Sequence, residues 1–282
     1  MTKILVTGAT GFIGTHLVTQ LHSRQYEVFQ LSSKLGHIAD SMVWKIFPDA
    51  EVVVHLAAKT FVPDSWINPL SFFNTNFEGT VQSLEYCRQN NARLVFLSSY
   101  LYGVPNAVPI SESADLKPNN PYALSKKLAE DTCQFYSSFY NIDVTILRLF
   151  NIYGPRQDNR FLIPSIINQV LYKESVQVKD LYPRRDYVYI DDLVNSILYA
   201  IESPQRFDIF NIGSGISYSV AEVISLIQQL AGTNLPVYSE AERRAQEVMD
   251  TKANIDHIYE VLNWKPKWSL QEGLSTVLKE YQ

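Results

Sequence analysis

The chain begins MTKILVTGATGFIG, Met1–Gly14, and the reading of this stretch decides the fold. An apolar run (Ile4, Leu5, Val6) leads straight into Gly8, Gly11 and Gly14. Apolar positions then resume at helical spacing with Ile13, Leu17, Val18 and Leu21. The order is strand, glycine turn, helix start. Gly8 lets the chain turn tightly out of the strand, Gly11 leaves room for a diphosphate against the backbone, and Gly14 lets helix and strand pack closely. The helix start adds unpaired N–H groups and a positive dipole end, both of which attract an anion. A glycine triplet by itself marks many ordinary turns; the strand before it and the amphipathic helix after it supply the missing context. The turn predicts a dinucleotide site with Gly8, Gly11, Phe12, Ile13 and Gly14 against the cofactor.

Working outward, 282 residues suffice for one large α/β domain plus a smaller one. A net charge of −5 and the lack of a Lys/Arg cluster argue against a nucleic-acid partner. No apolar run is long enough to span a bilayer, so no membrane partner is expected. Cys87 and Cys133 both fall in helix-like segments and read as reduced core residues. With a core strand starting at once, no room is left for a signal peptide, and a cytoplasmic location is expected. His16, His22, His37, His55 and His257 are scattered without metal-ligand spacing, so no metal is expected.

Tyr26–Leu31 reads as the second strand. In a doubly wound sheet, the residue just past it faces the adenosine ribose, where a carboxylate selects NAD. Here Ser32, Ser33 and Lys34 follow. Two hydroxyls and a cation suit a 2′-phosphate better, so NADP(H) is preferred and NAD(H) stays open. Glu51–Leu56 is nearly continuously apolar and reads as a central parallel strand. It ends in Leu56, Ala57 and Ala58, residues that let a cofactor pass over the strand end. Arg93–Ser99 is another core strand, and ligands in such sheets bind at strand carboxyl ends, which places Ser98 and Ser99 by a substrate. After an extended polar loop, a helix is predicted to open at about Tyr122, with Leu124, Leu128, Ala129, Thr132, Phe135, Tyr136 and Phe139 at helical spacing.

Tyr122 and Lys126 form YxxxK at that helix start, so phenol and ammonium share one helical face. A free tyrosine has a pKa of about 10, and a neighbouring cation lowers it. The lysine can also hold the nicotinamide ribose, while Ser98 donates a hydrogen bond to the reacting oxygen. Together they make a proton-transfer site beside a hydride carrier.

These motifs resemble the extended branch of the short-chain dehydrogenase/reductase superfamily, and the resemblance covers essentially the whole chain. GxxGxxG, HLAA at His55–Ala58, the N-x-x-G-T run at Asn76–Thr80 and the Ser–Tyr–Lys triad all match. The family serine precedes the Tyr-Gly tyrosine by four residues, which selects Ser98 over Ser99. The resemblance puts Asn76 beside the cofactor. Phe150–Gln157 resembles the F-N-V-Y-G-P-R-Q run of members acting on nucleotide-sugars, which places Phe150 by the nicotinamide and Asn151 on the substrate. Arg184–Asp192 resembles R-D-F-V-Y-V-D-D, which gives Arg185 the substrate diphosphate. Asp191 and Asp192 read as helix N-caps. Arg244 resembles a second diphosphate arginine, although Gln246 replaces the usual glycine.

The expected architecture is α/β, a doubly wound parallel (Rossmann) sheet with a smaller α+β C-terminal substrate domain. The first domain takes residues 1–153 plus about 185–203, the second 154–184 plus about 204–282. Many relatives dimerise through helices that here are Phe72–Arg88 and Tyr122–Tyr140, so a homodimer is expected if those helices show an apolar face. Dehydratases of the family carry an Asp-Glu pair after the catalytic threonine, where this chain has Ser99 and Tyr100. Decarboxylating relatives keep a Glu, and 3,5-epimerising reductases a Cys, in place of Tyr100. What is left is hydride exchange at a carbinol of a nucleoside-diphosphate sugar. NADPH would make the chain a 4-ketoreductase of a 4-keto-6-deoxyhexose; tightly held NAD would make it a 4-epimerase. A non-catalytic cofactor-binding scaffold is the reading from another class, disfavoured because the triad is whole.

Overall fold

In a computed structural model that describes residues 1–240 and 248–281, the chain divides into two compact units. The first comprises Met1–Gly103, Asp115–Leu149 and Val194–Phe210. Its strands are β1 (Lys3–Thr7), β2 (Glu27–Leu31), β3 (Val52–His55), β4 (Arg93–Ser99) and β5 (Val144–Leu149). They lie in the order β2-β1-β3-β4-β5, with Phe207–Ile212 as the far edge. The pairings β1–β2, β1–β3, β3–β4 and β4–β5 are all parallel. The helices that matter for the site are α1 (Phe12–Ser23), α2 (Gly79–Asn90) and α3 (Pro121–Tyr140). This is the doubly wound sheet expected from the sequence, with strand order reversing between β1 and β3, where such sheets bind ligands.

The core shows why the strands read as apolar runs. Val52, Val53, Val54, Leu94, Val95, Phe96, Ile146 and Leu147 are all buried, as helix-covered parallel strands require. One face packs Leu94, Phe96, Val144 and Ile146 against Leu84 and Cys87 of α2 and Ala129 and Cys133 of α3. Both cysteines are free thiols within it. Asn120 caps α3 by accepting from the Ala123 amide at 2.8 Å, and Pro121 takes the first helical position, where its missing N–H costs nothing.

The second unit comprises Val104–Ala114, Phe150–Leu193 and Asn211–Gln282. Strand Arg184–Tyr189 is its spine: Asn151–Tyr153 and Asp250–Thr251 pair with it in parallel and Ser217–Ser219 antiparallel. Val104–Ala114 clusters here and not with the first unit, because Ile110 bridges Ala253 and accepts from the Asn211 amide nitrogen Nδ2 at 2.9 Å. The segment returning to the first unit is Val194–Phe210, so it begins inside helix Ile190–Ile201 and not at Arg185. A buried carboxylate explains the difference. Asp186 Oδ1 accepts from the Ser214 amide and hydroxyl, both at 2.6 Å, and Oδ2 from the Gly215 and Ala253 amides, both at 3.0 Å. Those four bonds tie the strand to its own unit. Asp192 is likewise no N-cap: its carboxylate accepts from the Lys267 and Trp268 amides, and Trp268 stacks on Tyr189 at 4.5 Å.

Candidate active site

The glycine turn is closed by its own backbone. Gly8 sits at φ +66°, and a Cβ there would lie 2.8 Å from the Ala57 nitrogen. A Cβ on Gly14 would lie 2.2 Å from the Gly8 carbonyl oxygen. Neither position admits a side chain, whereas Gly11 meets only the Gly8 carbonyl, at 3.2 Å. Gly11 caps α1 without any side-chain hydrogen bond to the first-turn amides around Phe12 and Ile13. That end keeps its positive potential for an anion. Thr7 joins the carboxyl ends of β1 and β3: its hydroxyl accepts from the Leu56 and Ala57 amides at 3.1 Å and meets His55 Nδ1 at 2.8 Å. Sequence reasoning passed over Thr7, although its place just before Gly8 marks it. Past β2, Ser32 is buried while Ser33 and Lys34 are exposed. The cradle thus fits a dinucleotide, which Gly8, Gly11–Gly14, Ser32–Lys34 and Leu56–Ala58 would hold.

Asn76 lies fully buried in a π-helical turn, Phe73–Glu78. Its side chain accepts from the Lys59 amide at 2.8 Å and donates to the Lys59 carbonyl and the Ser125 hydroxyl, each at 3.0 Å. Ser125 in turn donates to the Tyr122 carbonyl at 2.7 Å. Asn76 therefore fixes both the loop after β3 and the first turn of α3. Ser125, next to Lys126, was not singled out by the sequence.

Tyr122, Lys126 and the end of β4 come together. Lys126 is buried; its Nζ donates to the Leu97 carbonyl at 2.7 Å and lies 4.7 Å from the centre of the Phe96 ring. Burial pulls its pKa down to about 8, with Cys133 and Glu130 opposing. His55 stacks on Phe96 at 6.0 Å, and burial, helped by the Lys126 charge, lowers it to about 3, so the imidazole is neutral. The Tyr122 phenol is hydrogen-bonded by the side chain of Ser99. Ser98, selected by the sequence, is buried with its hydroxyl unpartnered among the described residues, level with Arg148 on β5.

One electrostatic expectation is corrected. Lys126 was expected to lower the Tyr122 pKa, but burial raises it and only the Ser99 hydrogen bond opposes. The reason is geometric. The ammonium is engaged by a strand carbonyl, and an apolar setting penalises a phenolate. Within the chain itself, Tyr122 is a phenol that holds its proton.

In the second unit, Phe150 is buried and its amide donates to the Ile212 carbonyl at 3.0 Å. Asn151 Nδ2 donates to the Asp186 carbonyl at 3.2 Å. Arg185 Nη1 donates to the carbonyls of Val248, at 2.6 Å, and Arg184, at 2.9 Å. Arg184 is more than a solvated cation, since it pairs with Glu222 at 2.8 Å and donates to the Ser217 carbonyl at 2.6 Å. Arg244 lies outside the described residues. Among the described residues there is no cluster of metal-ligating side chains, and no helix is long and apolar enough to cross a membrane.

The profile of the NAD dependent epimerase/dehydratase family matches residues 4–213. A UDP-glucose 4-epimerase of Lactobacillus helveticus is 30% identical over 305 residues, covering 94% of this chain and 92% of the relative. A GDP-6-deoxy-D-mannose reductase of Pseudomonas aeruginosa is 27% identical over 99% of this chain and 97% of its own length. The structure of RMD from P. aeruginosa complexed with NADPH superimposes with a TM-score of 0.91 at 26% identity, covering 100% of this chain and 99% of the other. A glycine cradle at the β1/β3 switch point, and a buried lysine and a phenol at the end of β4, would each be weaker alone; together with a family profile matched over residues 4–213 they show that this chain is an enzyme of the NAD-dependent epimerase/dehydratase family, an extended short-chain dehydrogenase/reductase.

Proposed function

We propose that the chain uses NADPH to reduce the 4-keto group of a nucleoside-diphosphate 4-keto-6-deoxyhexose. The observation that carries this reading is the exit of β2, where Ser32, Ser33 and the exposed Lys34 stand in place of a carboxylate. A cation there suits a 2′-phosphate, and NADPH favours net reduction. The Pseudomonas reductase and the NADPH-bound neighbour support the same direction.

When bound, a reduced nicotinamide supplies a hydride. The chain's own residues manage the proton. The Tyr122 hydroxyl, held protonated by burial, donates to the oxygen of the carbonyl being reduced. The Ser99 hydroxyl orients that phenol, while buried Ser98, at the same strand end and with its hydroxyl without a partner among the described residues, would donate to the same oxygen. Lys126 adds a positive charge behind them, where negative charge develops. Neither Ser99 nor Tyr100 is a carboxylate, so the end of β4 offers no acid to expel a sugar hydroxyl. Asn151 and Arg185 are assigned to the substrate, Arg185 to its diphosphate.

A 4-epimerase using NAD is the second reading, favoured by the Lactobacillus relative. We further propose a homodimer, on the stripe Leu124, Leu128, Phe135 and Phe139 of α3, which is 36–71% exposed. The cofactor assignment is tested by comparing KM for NADPH and NADH in the native chain and in Lys34→Asp. The reading expects a preference for NADPH that falls at least tenfold in the variant. An equal KM for both cofactors in the native chain would overturn it.

A further inference from the structure

Behind the Tyr122–Lys126 face lies a buried set of charges that proton transfer does not use. Lys126 and Glu130 stand one turn apart on α3, and each is 3% exposed. Residues four apart share a helix face. Glu130 receives Arg148 Nε on both oxygens, each at 3.1 Å, and Arg148 Nη2 at 2.7 Å. Arg148 sits on β5 directly beside Ser98 in the parallel ladder. Its Nη1 donates to the Tyr102 hydroxyl at 3.0 Å, and its guanidinium lies 5.3 Å from the Tyr102 ring centre. One carboxylate is thus fixed between the helix that carries Tyr122 and Lys126 and the strand beside Ser98.

A buried ion pair of this kind returns little more stability than its desolvation removes. Its place next to Lys126 gives it another use. The titratable groups that act on Lys126 are Glu130 and Cys133 on its own helix and His55 on β3; Arg148 on β5 reaches the set through Glu130, and Cys87 of α2 acts on Cys133. His55 is neutral, and burial keeps the Cys133 thiol protonated. Glu130 supplies the carboxylate of the set, ion-paired with Arg148 at 2.7 Å and one helical turn from Lys126.

We propose that Glu130 is a positioning residue whose carboxylate, pinned by Arg148, keeps the Lys126 ammonium charged and held at the end of β4, with Arg148 limiting how strongly it does so. Removing the carboxylate takes the negative charge from Lys126 and leaves the Arg148 guanidinium without its ion-pair partner in the same buried set. Removing the guanidinium leaves the whole carboxylate to Lys126. The two changes act in opposite directions, as they would not if the pair served packing alone. The link to catalysis rests on the proposed function; the charge of Lys126 does not.

The test is an NMR titration of carbon-13-labelled lysine in the full chain, with the Lys126 signal assigned by its loss in Lys126→Met. Glu130→Gln is expected to lower the Lys126 midpoint by about one pH unit or more, a tenfold change, and Arg148→Met to raise it. In turnover, the loss of kcat at high pH is expected to begin correspondingly lower in Glu130→Gln, with KM for the cofactor little changed. Midpoints that stay put, or move the same way in both variants, would overturn the proposal, and if one variant fails to fold the direction of the other decides. The titration needs no substrate, so a chain that reduces no nucleotide-sugar would sink the proposed function while this result is still read.

Discussion

Tyr122 can donate a proton because burial holds it as a phenol, and it can be aimed because Ser99 bonds its hydroxyl and Asn76, through Ser125, fixes its helical turn. Tyr122→Phe is therefore expected to lower kcat by about 10²–10⁴-fold while the dissociation constant for NADPH stays within a few-fold; kinetics and fluorescence titration read the two separately. Of the two serines, Ser99→Ala is expected to raise KM and lower kcat together, because it loosens the phenol. His55 gives a pH signature. Its folded pKa, about 3, lies below the 6.5 of an exposed imidazole, so between those values the unfolded chain binds more protons. The stability it contributes is complete above about pH 6.5 and drains away as pH falls toward 3. His55→Gln is expected to flatten the dependence of melting temperature on pH in that window, and an unchanged slope would refute the assignment.

At the scale of elements, the first unit was legible because its strands are continuous apolar runs and its helices have clean periodicity. β4 and α3 lie within a residue of where the sequence placed them. The second unit was harder to read. Several of its strands have two or three residues, too few to show a period, and they are held by side chains distant in sequence. Asp186 is the clearest case, since its partners Ser214, Gly215 and Ala253 lie 28 to 67 residues away. Asp186→Asn loses two of the four accepted bonds, because an amide nitrogen cannot accept. It is expected to cost on the order of 2–4 kcal/mol, measured by denaturant titration. Within the candidate site, YxxxK was legible because helical spacing puts both groups on one face. The Ser98/Ser99 roles and the Lys126–Leu97 bond were not, since both depend on how a strand ends against a helix.

At the scale of the whole molecule, the proposed homodimer rests on the exposed stripe of α3. A dimer built on both helices would need an apolar face on Phe72–Arg88 as well. No large apolar side chain is exposed there among the described residues; the exposed ones, Trp66, Ile67 and Leu70, precede it. Phe139, 71% exposed, lies at the far end of the stripe from Tyr122. Phe139→Glu is expected to convert the proposed dimer to monomer in light scattering without lowering the melting temperature of the monomer. A native chain that is monomeric at micromolar concentration would remove the basis for that proposal.

The central claim is that the chain performs net hydride transfer to a sugar ketone, with Tyr122 supplying the proton. The most direct measurement follows NADPH absorbance while the chain acts on a nucleoside-diphosphate 4-keto-6-deoxyhexose, beside the same assay with Tyr122→Phe. The account predicts one NADPH consumed per sugar reduced and almost none with the variant. Interconversion of C4 epimers with no net loss of NADPH would contradict it.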